Sequence, residues 1–541
     1  MNQEKELLDA GLKSLNHYQS KLPKWRYRPR QSLLPLVRWE TPFLAWLQEK
    51  LRSPALDTYF ATTANLGTHT FFMIVLPILF WCGHSDLGRG MVHILASGVF
   101  FSGFIKDLWC LPRPLSPPLQ RITMSGSAAL EYGFPSTHST NAVSVAVYAL
   151  YLLNTNSSLS PKINILLQTI SYFYASSIVL GRLYCGMHGF FDVITGSMLG
   201  AAISFVQCTY GDVIDDFIHN ALRKDMFIVV LTILVLVRIH PEPADDCPCF
   251  DDSVAFAGVV IGVEYGSWHF SNSDYAWSQP IPGTVPFDFE SMGWMVIMTR
   301  IILGVMTIFL WREVMKPCML LILPPAFRVI EKLGLSLPRK FFKQASEYTR
   351  IPKLRRDDNV IPAISEIPAF LTSIRHPRRR SVSIGPQSQA DAYETLAYRE
   401  KRRRDSVSAS YATDPTGDPE VTNNDRANSH SKPEGIANGS ISSQALKMTS
   451  LKTYESMMGT GFNTRTQDEA AESPLHGPAN MKVEVQRQEQ GEKDIFSRLE
   501  KPRVRYDAEV VTKLIVYSGI AWLAVEGNPI LFDTLGLGVG K

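Results

Sequence analysis

Long apolar segments separated by short polar stretches dominate the chain between about residues 60 and 335. The segments are Leu66–Gly83, Met91–Leu108, Ser139–Leu153, Ile163–Gly181, Phe190–Tyr210, Met226–Ile239, Val254–Val263 and Trp294–Trp311, with Lys513–Gly538 near the end of the chain. Lipid does not tolerate unpaired backbone groups, and no barrel-like alternation of apolar and polar residues is present. A helix that spans a membrane needs about 20 mainly apolar residues. The pattern therefore predicts an all-α, polytopic transmembrane bundle of about 8–10 helices.

Composition divides the chain into four parts. Residues 1–60 predict an amphipathic or soluble segment, 61–335 the transmembrane core, 336–508 a polar insert, and 509–541 a last membrane helix. The insert is rich in Arg, Ser, Asn, Gln and Glu and has few aromatic residues. It buries too little apolar surface to offset the entropy of ordering its backbone, so we expect it to be mostly disordered.

Charge and cysteine content give little sign of partners beyond the membrane. The chain has 54 Lys and Arg against 51 Asp and Glu, a formal net charge of +3, so no nucleic-acid partner is predicted. The seven cysteines lie mostly in or beside apolar segments, which favours buried thiols over a disulfide framework. Cys247 and Cys249 have no second pair at zinc-binding spacing, so no metal and no cofactor is predicted.

Three polar clusters lie where predicted helices start or end. They are Lys106-Asp-Leu-Trp-Cys-Leu-Pro-Arg113-Pro114, Pro135-Ser-Thr-His138, and Arg182-Leu-Tyr-Cys-Gly-Met-His188 with Asp192. The second predicted helix ends at the first cluster, the third begins at the second, and the fourth returns to the third. Because two crossings separate the second and third clusters, all three lie on one membrane face. Charged groups at the rim of apolar helices predict a functional site.

The cations of these clusters fit a phosphoryl group. The guanidinium groups of Arg113 and Arg182 match phosphate oxygens in a bidentate way, and Lys106 adds a third cation. Ser136 and Thr137 precede a helix that begins near His138, so free backbone N–H groups and the helix dipole favour an anion there. A plain helix start with a Ser or Thr cap is the alternative interpretation of these two residues.

The histidines of these clusters suggest how a phosphoryl group would be transferred. His188 and Asp192 are four residues apart at a helix start, so they share a face, and the carboxylate can orient the imidazole. The other ring nitrogen then keeps a lone pair that can attack phosphorus. His138, on another helix, can protonate the departing alkoxide as a general acid.

The order and spacing of the three clusters resemble the type 2 phosphatidic acid phosphatase superfamily of membrane phosphatases and haloperoxidases. The stretches Gly133-Phe-Pro-Ser-Thr-His-Ser139 and Arg182 to His188 are most similar to the sphingosine-1-phosphate, or long-chain base phosphate, phosphatases. The long insert before a last apolar segment is similar to fungal members. Two positions depart from the pattern, since Gly181 stands where Ser is frequent and Thr137 where Gly is frequent.

This resemblance covers about residues 60 to 330 and implies a role for each cluster residue. His188 would form a phosphohistidine supported by Asp192, and His138 would protonate the leaving group. The phosphate ligands would be Lys106, Arg113, Ser136, Thr137 and Arg182. The resemblance also implies a metal-independent reaction and an active site that opens to the lumen of the endoplasmic reticulum.

The sequence therefore predicts a phosphoric monoester hydrolase of the endoplasmic reticulum membrane. Its expected substrates are long-chain sphingoid base 1-phosphates, such as dihydrosphingosine, phytosphingosine and sphingosine 1-phosphate, in sphingolipid metabolism. Close alternatives are a broader lipid phosphate phosphatase and a lipid phosphotransferase that passes the phosphoryl group to an alcohol. A remote alternative is a transporter or scaffold without chemistry, which would be expected to lack a histidine or arginine of the clusters.

The insert raises a conflict of topology. Basic runs precede Ser381 and Ser406, as is typical of sites for a cytosolic kinase, although solvated linker charges are an equal alternative. Eight crossings counted forward leave residues 312 to 505 on the active-site face. A cytosolic insert and a lumenal active site therefore require one crossing more or one fewer.

Overall fold

The structure is a computed structural model that describes residues 15–67, 69–115, 118–122, 131–155, 159–244, 247–335, 339, 342–349, 351 and 505–539. Its helices are α1 Leu15–Lys21, α2 Lys24–Leu51, α3 Pro54–Thr63, α4 His69–Trp81, α5 Ser85–Trp109, α6 Thr137–Thr155, α7 Pro161–Tyr184, α8 Phe190–His219, α9 Arg223–Ile239, α10 Cys249–Ser271, α11 Phe289–Lys332, α12 Asp507–Trp522 and α13 Asn528–Thr534. Two short strands, β1 Phe342–Lys343 and β2 Arg505–Tyr506, pair in parallel. The predicted all-α class is confirmed.

Every apolar segment proposed from the sequence contains a helix. Among the described residues, α5, α7, α8, α11 and the stretch from α12 to α13 are long and apolar enough to cross a membrane. Helices α7 and α8 expose large apolar side chains along their lengths, including Ile165, Phe173, Met198 and Phe205 at 64–68%. Exposed apolar surface of this extent is the surface that lipid covers in a membrane protein. The chain is therefore a multi-pass membrane protein.

One end of the bundle gathers the three polar clusters, and we call it the motif end. Helices α5 and α7 end there, and α6 and α8 begin there. The Ser136 amide donates to the Asp192 carbonyl at 3.0 Å, which joins the starts of α6 and α8. The end of α9 lies at the same level, because His240 Nδ1 is 3.8 Å from Asp107 Oδ2, beside Lys106. The parity of the crossings predicted this convergence.

Helix α2 lies across the motif end with its polar face against the bundle. Near its start, Arg26 donates to the Leu108 carbonyl at 2.9 Å, at the end of α5. Near its end, Gln48 donates to the Tyr184 carbonyl at 2.8 Å, at the end of α7. The outward face exposes 51–64% of four aromatic side chains, Trp25, Trp39, Phe43 and Trp46. The amphipathic N-terminal segment thus connects the ends of two spanning helices.

Both described ends of the polar insert also lie at the motif end. Strands β1 and β2 flank the insert, the Phe342 ring packs 5.6 Å from that of Phe250, and Arg505 Nε lies 3.6 Å from Asp251 Oδ2. Phe250 and Asp251 belong to the first turn of α10. The count of eight crossings from the sequence likewise puts residues 312 to 505 on the face that carries the three clusters. Residues 352–504, with the predicted disorder and both candidate phosphorylation sites, lie outside the described residues.

The cysteine prediction is wrong for one pair. Cys247 and Cys249 form a disulfide, with their Cα atoms 5.5 Å apart. A single intervening residue can hold two cysteines within the Cα separation that a disulfide requires. The Cys110 and Cys185 thiols are buried, as the sequence predicted.

Candidate active site

Lys106 and Arg113 flank the C-terminal end of α5. Lys106 occupies the last turn, and the chain changes direction through Cys110, whose φ of 51° lies in the left-handed region. Arg30 of α2 donates to the Cys110 carbonyl at 3.1 Å and so stabilises this helix end. Both cations are buried, with 3% of Lys106 and 5% of Arg113 exposed. Helix α2 therefore helps to fix the turn that presents Arg113.

Arg113 connects the first cluster to the third. Its Nη1 donates to the Met187 carbonyl at 2.8 Å and lies 3.0 Å from His188 Nε2. Its Nε donates to the Glu131 carbonyl at 3.1 Å. Burial lowers the pKa of Arg113 to about 10, and the Glu131 carboxylate opposes this shift. The guanidinium therefore stays charged at neutral pH.

Arg182 lies in the last turn of α7 and is 6% exposed. Its Nε is buried and has no hydrogen-bond partner among the described residues. A buried donor without a partner is costly unless a ligand or a water molecule satisfies it. This side chain is therefore suited to bind an anion.

The start of α6 contains Ser136, Thr137 and His138. The Ser136 hydroxyl accepts from the Ser139 amide at 3.3 Å and from the Ser139 hydroxyl at 2.9 Å, so Ser136 caps the helix as the alternative interpretation held. The expectation of a free Ser136 amide is wrong, because that N–H donates to the Asp192 carbonyl. The amides of Thr137 and His138 remain in the first turn, where a helix offers them no acceptor.

His188, in the third cluster, is buried beside Arg113 of the first cluster, with 2% exposed. Its Nδ1 donates to the Gly133 carbonyl at 2.9 Å, so in the neutral ring Nε2 carries the lone pair and faces Arg113. Asp192 Oδ2 lies 3.6 Å from Nδ1 and accepts from the Gly189 amide at 2.9 Å. The Gly133 carbonyl is thus the direct partner of the ring, and the Asp192 carboxylate lies just beyond it.

Electrostatics keep this imidazole neutral. Burial, followed by the charges of Arg113, Lys106, Arg182 and His138, holds the pKa of His188 well below its ordinary value of 6.5. His138, which belongs to a different helix, is one of the groups that lower this pKa. The site therefore combines a neutral imidazole nitrogen, several cations and a second histidine.

Comparison with known proteins identifies the family of the chain. The PAP2 superfamily model matches residues 88–212. The chain is 39% identical over 325 residues to the dihydrosphingosine 1-phosphate phosphatase of Schizosaccharomyces pombe, covering 59% of this chain and 76% of the relative. The chain belongs to the PAP2 superfamily. The resemblance inferred from the three clusters is thus confirmed.

Other PAP2 relatives carry similar names. A dihydrosphingosine 1-phosphate phosphatase of Saccharomyces cerevisiae is 36% identical over 311 residues, covering 57% of this chain and 75% of the relative. Lipid phosphate phosphatase delta of Arabidopsis thaliana is 29% identical over 281 residues, covering 50% of this chain and 65% of the relative. No solved structure matches the chain.

The candidate site also contains residues that the sequence did not predict. Glu131 accepts hydrogen bonds from Lys106 and Arg113, and Arg121, 4% exposed, lies close enough to influence the pKa of Arg113. Glu40 of α2 accepts from the Phe191 amide at 3.0 Å at the start of α8. The one sequence feature that could have indicated Glu131 is its position four residues before Pro135 of the second cluster.

Proposed function

We propose that this chain hydrolyses long-chain sphingoid base 1-phosphates to the free base and phosphate, as part of sphingolipid metabolism. The observation that carries the proposal is the 3.0 Å contact between Arg113 Nη1 and His188 Nε2, within a group of buried cations. It supports a single centre where a bound phosphate would meet a neutral imidazole nitrogen. The substrate class is supported by the names of the two yeast relatives.

In the first step, His188 Nε2 attacks phosphorus in line with the ester oxygen. The N–P bond forms as the O–P bond breaks, and His138 donates a proton to the departing oxygen. The Gly133 carbonyl holds the Nδ1 proton in place, so Nε2 is the nitrogen free to react. Asp192 stabilises the positive charge that the ring acquires.

In the second step, water attacks the phosphohistidine and His138 accepts its proton. Phosphate is released, and Nε2 regains its lone pair. Lys106, Arg113 and Arg182 stabilise the charge on the equatorial oxygens in both steps. Ser136 contributes its hydroxyl proton, and Thr137 contributes its backbone amide at the positive end of α6.

A broader lipid phosphate phosphatase is the second candidate, favoured by the name of the plant relative. The purified chain in detergent is expected to release phosphate from dihydrosphingosine 1-phosphate at least about ten times faster than from phosphatidate. A tenfold preference corresponds to a difference of about 1.4 kcal/mol in free energy between the two substrates. Equal rates on both lipids would favour the broader activity. Release from neither lipid would contradict both candidates.

We place the enzyme in the endoplasmic reticulum membrane with the motif end facing the lumen. Because Arg505 lies against Asp251 at that end, a lumenal active site entails that the flanks of the insert are lumenal too. A cytosolic kinase acting on Ser381 or Ser406 is incompatible with that orientation. We therefore favour the lumenal active site over the kinase partner.

The insert itself provides a test of this orientation. Asn438-Gly-Ser440 is an N-glycosylation acceptor sequence, and residues 438–440 lie outside the described part of the chain. We expect endoglycosidase treatment of the full-length protein from cells to lower its apparent mass, and Asn438→Gln to abolish that shift. Protease added to sealed microsomes should leave the insert intact. Cleavage of the insert without membrane permeabilisation would contradict the lumenal orientation.

A further inference from the structure

A carboxylate lies directly on two of the proposed phosphate ligands. Glu131 Oε2 accepts from Lys106 Nζ at 3.1 Å and from Arg113 Nη2 at 3.3 Å. The Glu131 side chain is 26% exposed, whereas each cation side chain is 4% exposed. Glu131 therefore lies at the mouth of the site, on the solvent side of the two cations.

The backbone holds Glu131 in this position. Arg113 Nε donates to the Glu131 carbonyl at 3.1 Å, and the next residue, Tyr132, is fully buried. The Gly133 amide then donates to the Leu111 carbonyl at 2.9 Å. A Cβ at Gly133 would lie 2.7 Å from the Pro112 carbonyl oxygen, so the two chain segments are in close contact. Glu131 is thus a fixed part of the site.

This position is unfavourable for a phosphomonoester that carries no other charge. A phosphate dianion held by Lys106 and Arg113 would lie beside the Glu131 carboxylate, and like charges repel strongly where little water separates them. A cation attached to the substrate next to its phosphate would turn this repulsion into attraction. Such pairing of attraction for one ligand with repulsion of another is a physical basis of specificity.

We propose that Glu131 binds the ammonium group of the substrate and selects amino-bearing phosphomonoesters over amine-free ones. This inference rests on the proposed function, because long-chain base phosphates carry an amine on the carbon next to the phosphorylated carbon. The phosphate takes over the hydrogen bonds of Lys106 and Arg113, and the released carboxylate turns to the ammonium. Every charged group then keeps a partner of opposite sign.

Glu131→Gln tests the proposal because it keeps the shape of the side chain and removes its charge. The probes are dihydrosphingosine 1-phosphate and octadecyl phosphate, which has a similar chain and no amine. We expect kcat/KM for the amino substrate to fall roughly 10- to 100-fold, as when one partner of a charge pair is removed. The value for octadecyl phosphate should stay constant or rise. An equal loss on both substrates, or no loss on the amino substrate, would overturn the proposal.

The pH dependence separates recognition from a structural role. In the wild type, the preference for the amino substrate should decline as the pH rises through the pKa of the substrate ammonium, whereas in Glu131→Gln the ratio should stay flat. Glu131→Asp should retain part of the preference. Glu49→Gln is the control, because it removes a negative charge from α2 at the same end of the bundle. It should leave the ratio of the two kcat/KM values unchanged. If it lowers that ratio as Glu131→Gln does, the effect comes from net charge at this end and not from contact with the ammonium group.

The two proposals can fail separately. If the wild type hydrolyses neither substrate, the proposed function is wrong. If it hydrolyses both and Glu131→Gln leaves their ratio unchanged, only the role of Glu131 is refuted.

Discussion

His188→Ala is expected to lower the turnover of dihydrosphingosine 1-phosphate by at least about 10⁴-fold, the scale seen when a catalytic nucleophile is removed. Alanine leaves no lone pair where Nε2 lies 3.0 Å from Arg113 Nη1. The cations would still be present, so binding of inorganic phosphate should persist. The measurement is phosphate release by purified variant and wild type in the same detergent.

His269→Ala is the matched control for this variant. His269 lies in the last turn of α10, away from the motif end where α10 begins, and its side chain is 57% exposed. It should retain nearly wild-type turnover. Acid-labile phosphate should label the wild type during turnover and be missing from His188→Ala. Appreciable turnover by a folded His188→Ala protein would show that another group attacks phosphorus.

The gathering of the three clusters could be predicted because it depends on few quantities. Apolar length indicates the helices, and the order of polar residues at their ends gives the parity of the crossings. The chemistry of Lys106, Arg113, Arg182, His138 and His188 follows from residue type. These inferences need no knowledge of how neighbouring helices pack.

The contacts that hold the site together could not be predicted in this way. Gln48 reaches the Tyr184 carbonyl across 136 positions of sequence, and Arg26 reaches the Leu108 carbonyl across 82. Side chain to backbone bonds of this kind leave no periodic signal, because any carbonyl can accept them. The same reason explains why the Gly133 carbonyl, rather than a side chain recognisable from sequence, is the direct partner of His188.

The sequence did not predict that helix α2 packs on the bundle, because its polar side chains face inward and its aromatic side chains face outward. Its buried face carries polar groups such as Arg30, Glu40 and Gln48, whereas its exposed face carries tryptophans. In a water-soluble protein, a helix usually packs on the core through its apolar face. On a membrane bundle, a helix can instead bury polar side chains that form hydrogen bonds with the ends of the spanning helices. The motif end of the bundle offers the carbonyls and amides of helix ends that these groups need.

Arg182→Ala is expected to lower kcat/KM by about 100- to 1,000-fold, the usual effect of losing one donor to the transition state. Its effect on stability should be small or even favourable. Arg182 Nε is buried without a hydrogen-bond partner among the described residues, so its removal relieves an unsatisfied polar atom. Thermal unfolding in detergent should therefore show an unchanged or raised midpoint.

Arg113→Ala provides the contrast that makes this prediction specific. Arg113 donates to the carbonyls of Met187 and Glu131, so its removal should lower both activity and the midpoint of unfolding. Saturating phosphate should raise the midpoint of the wild type and of His188→Ala, and much less that of Arg182→Ala, because a ligand stabilises only the state that binds it. If Arg182→Ala were inactive and as unstable as Arg113→Ala, Arg182 would be a structural cation and the phosphate would be bound elsewhere.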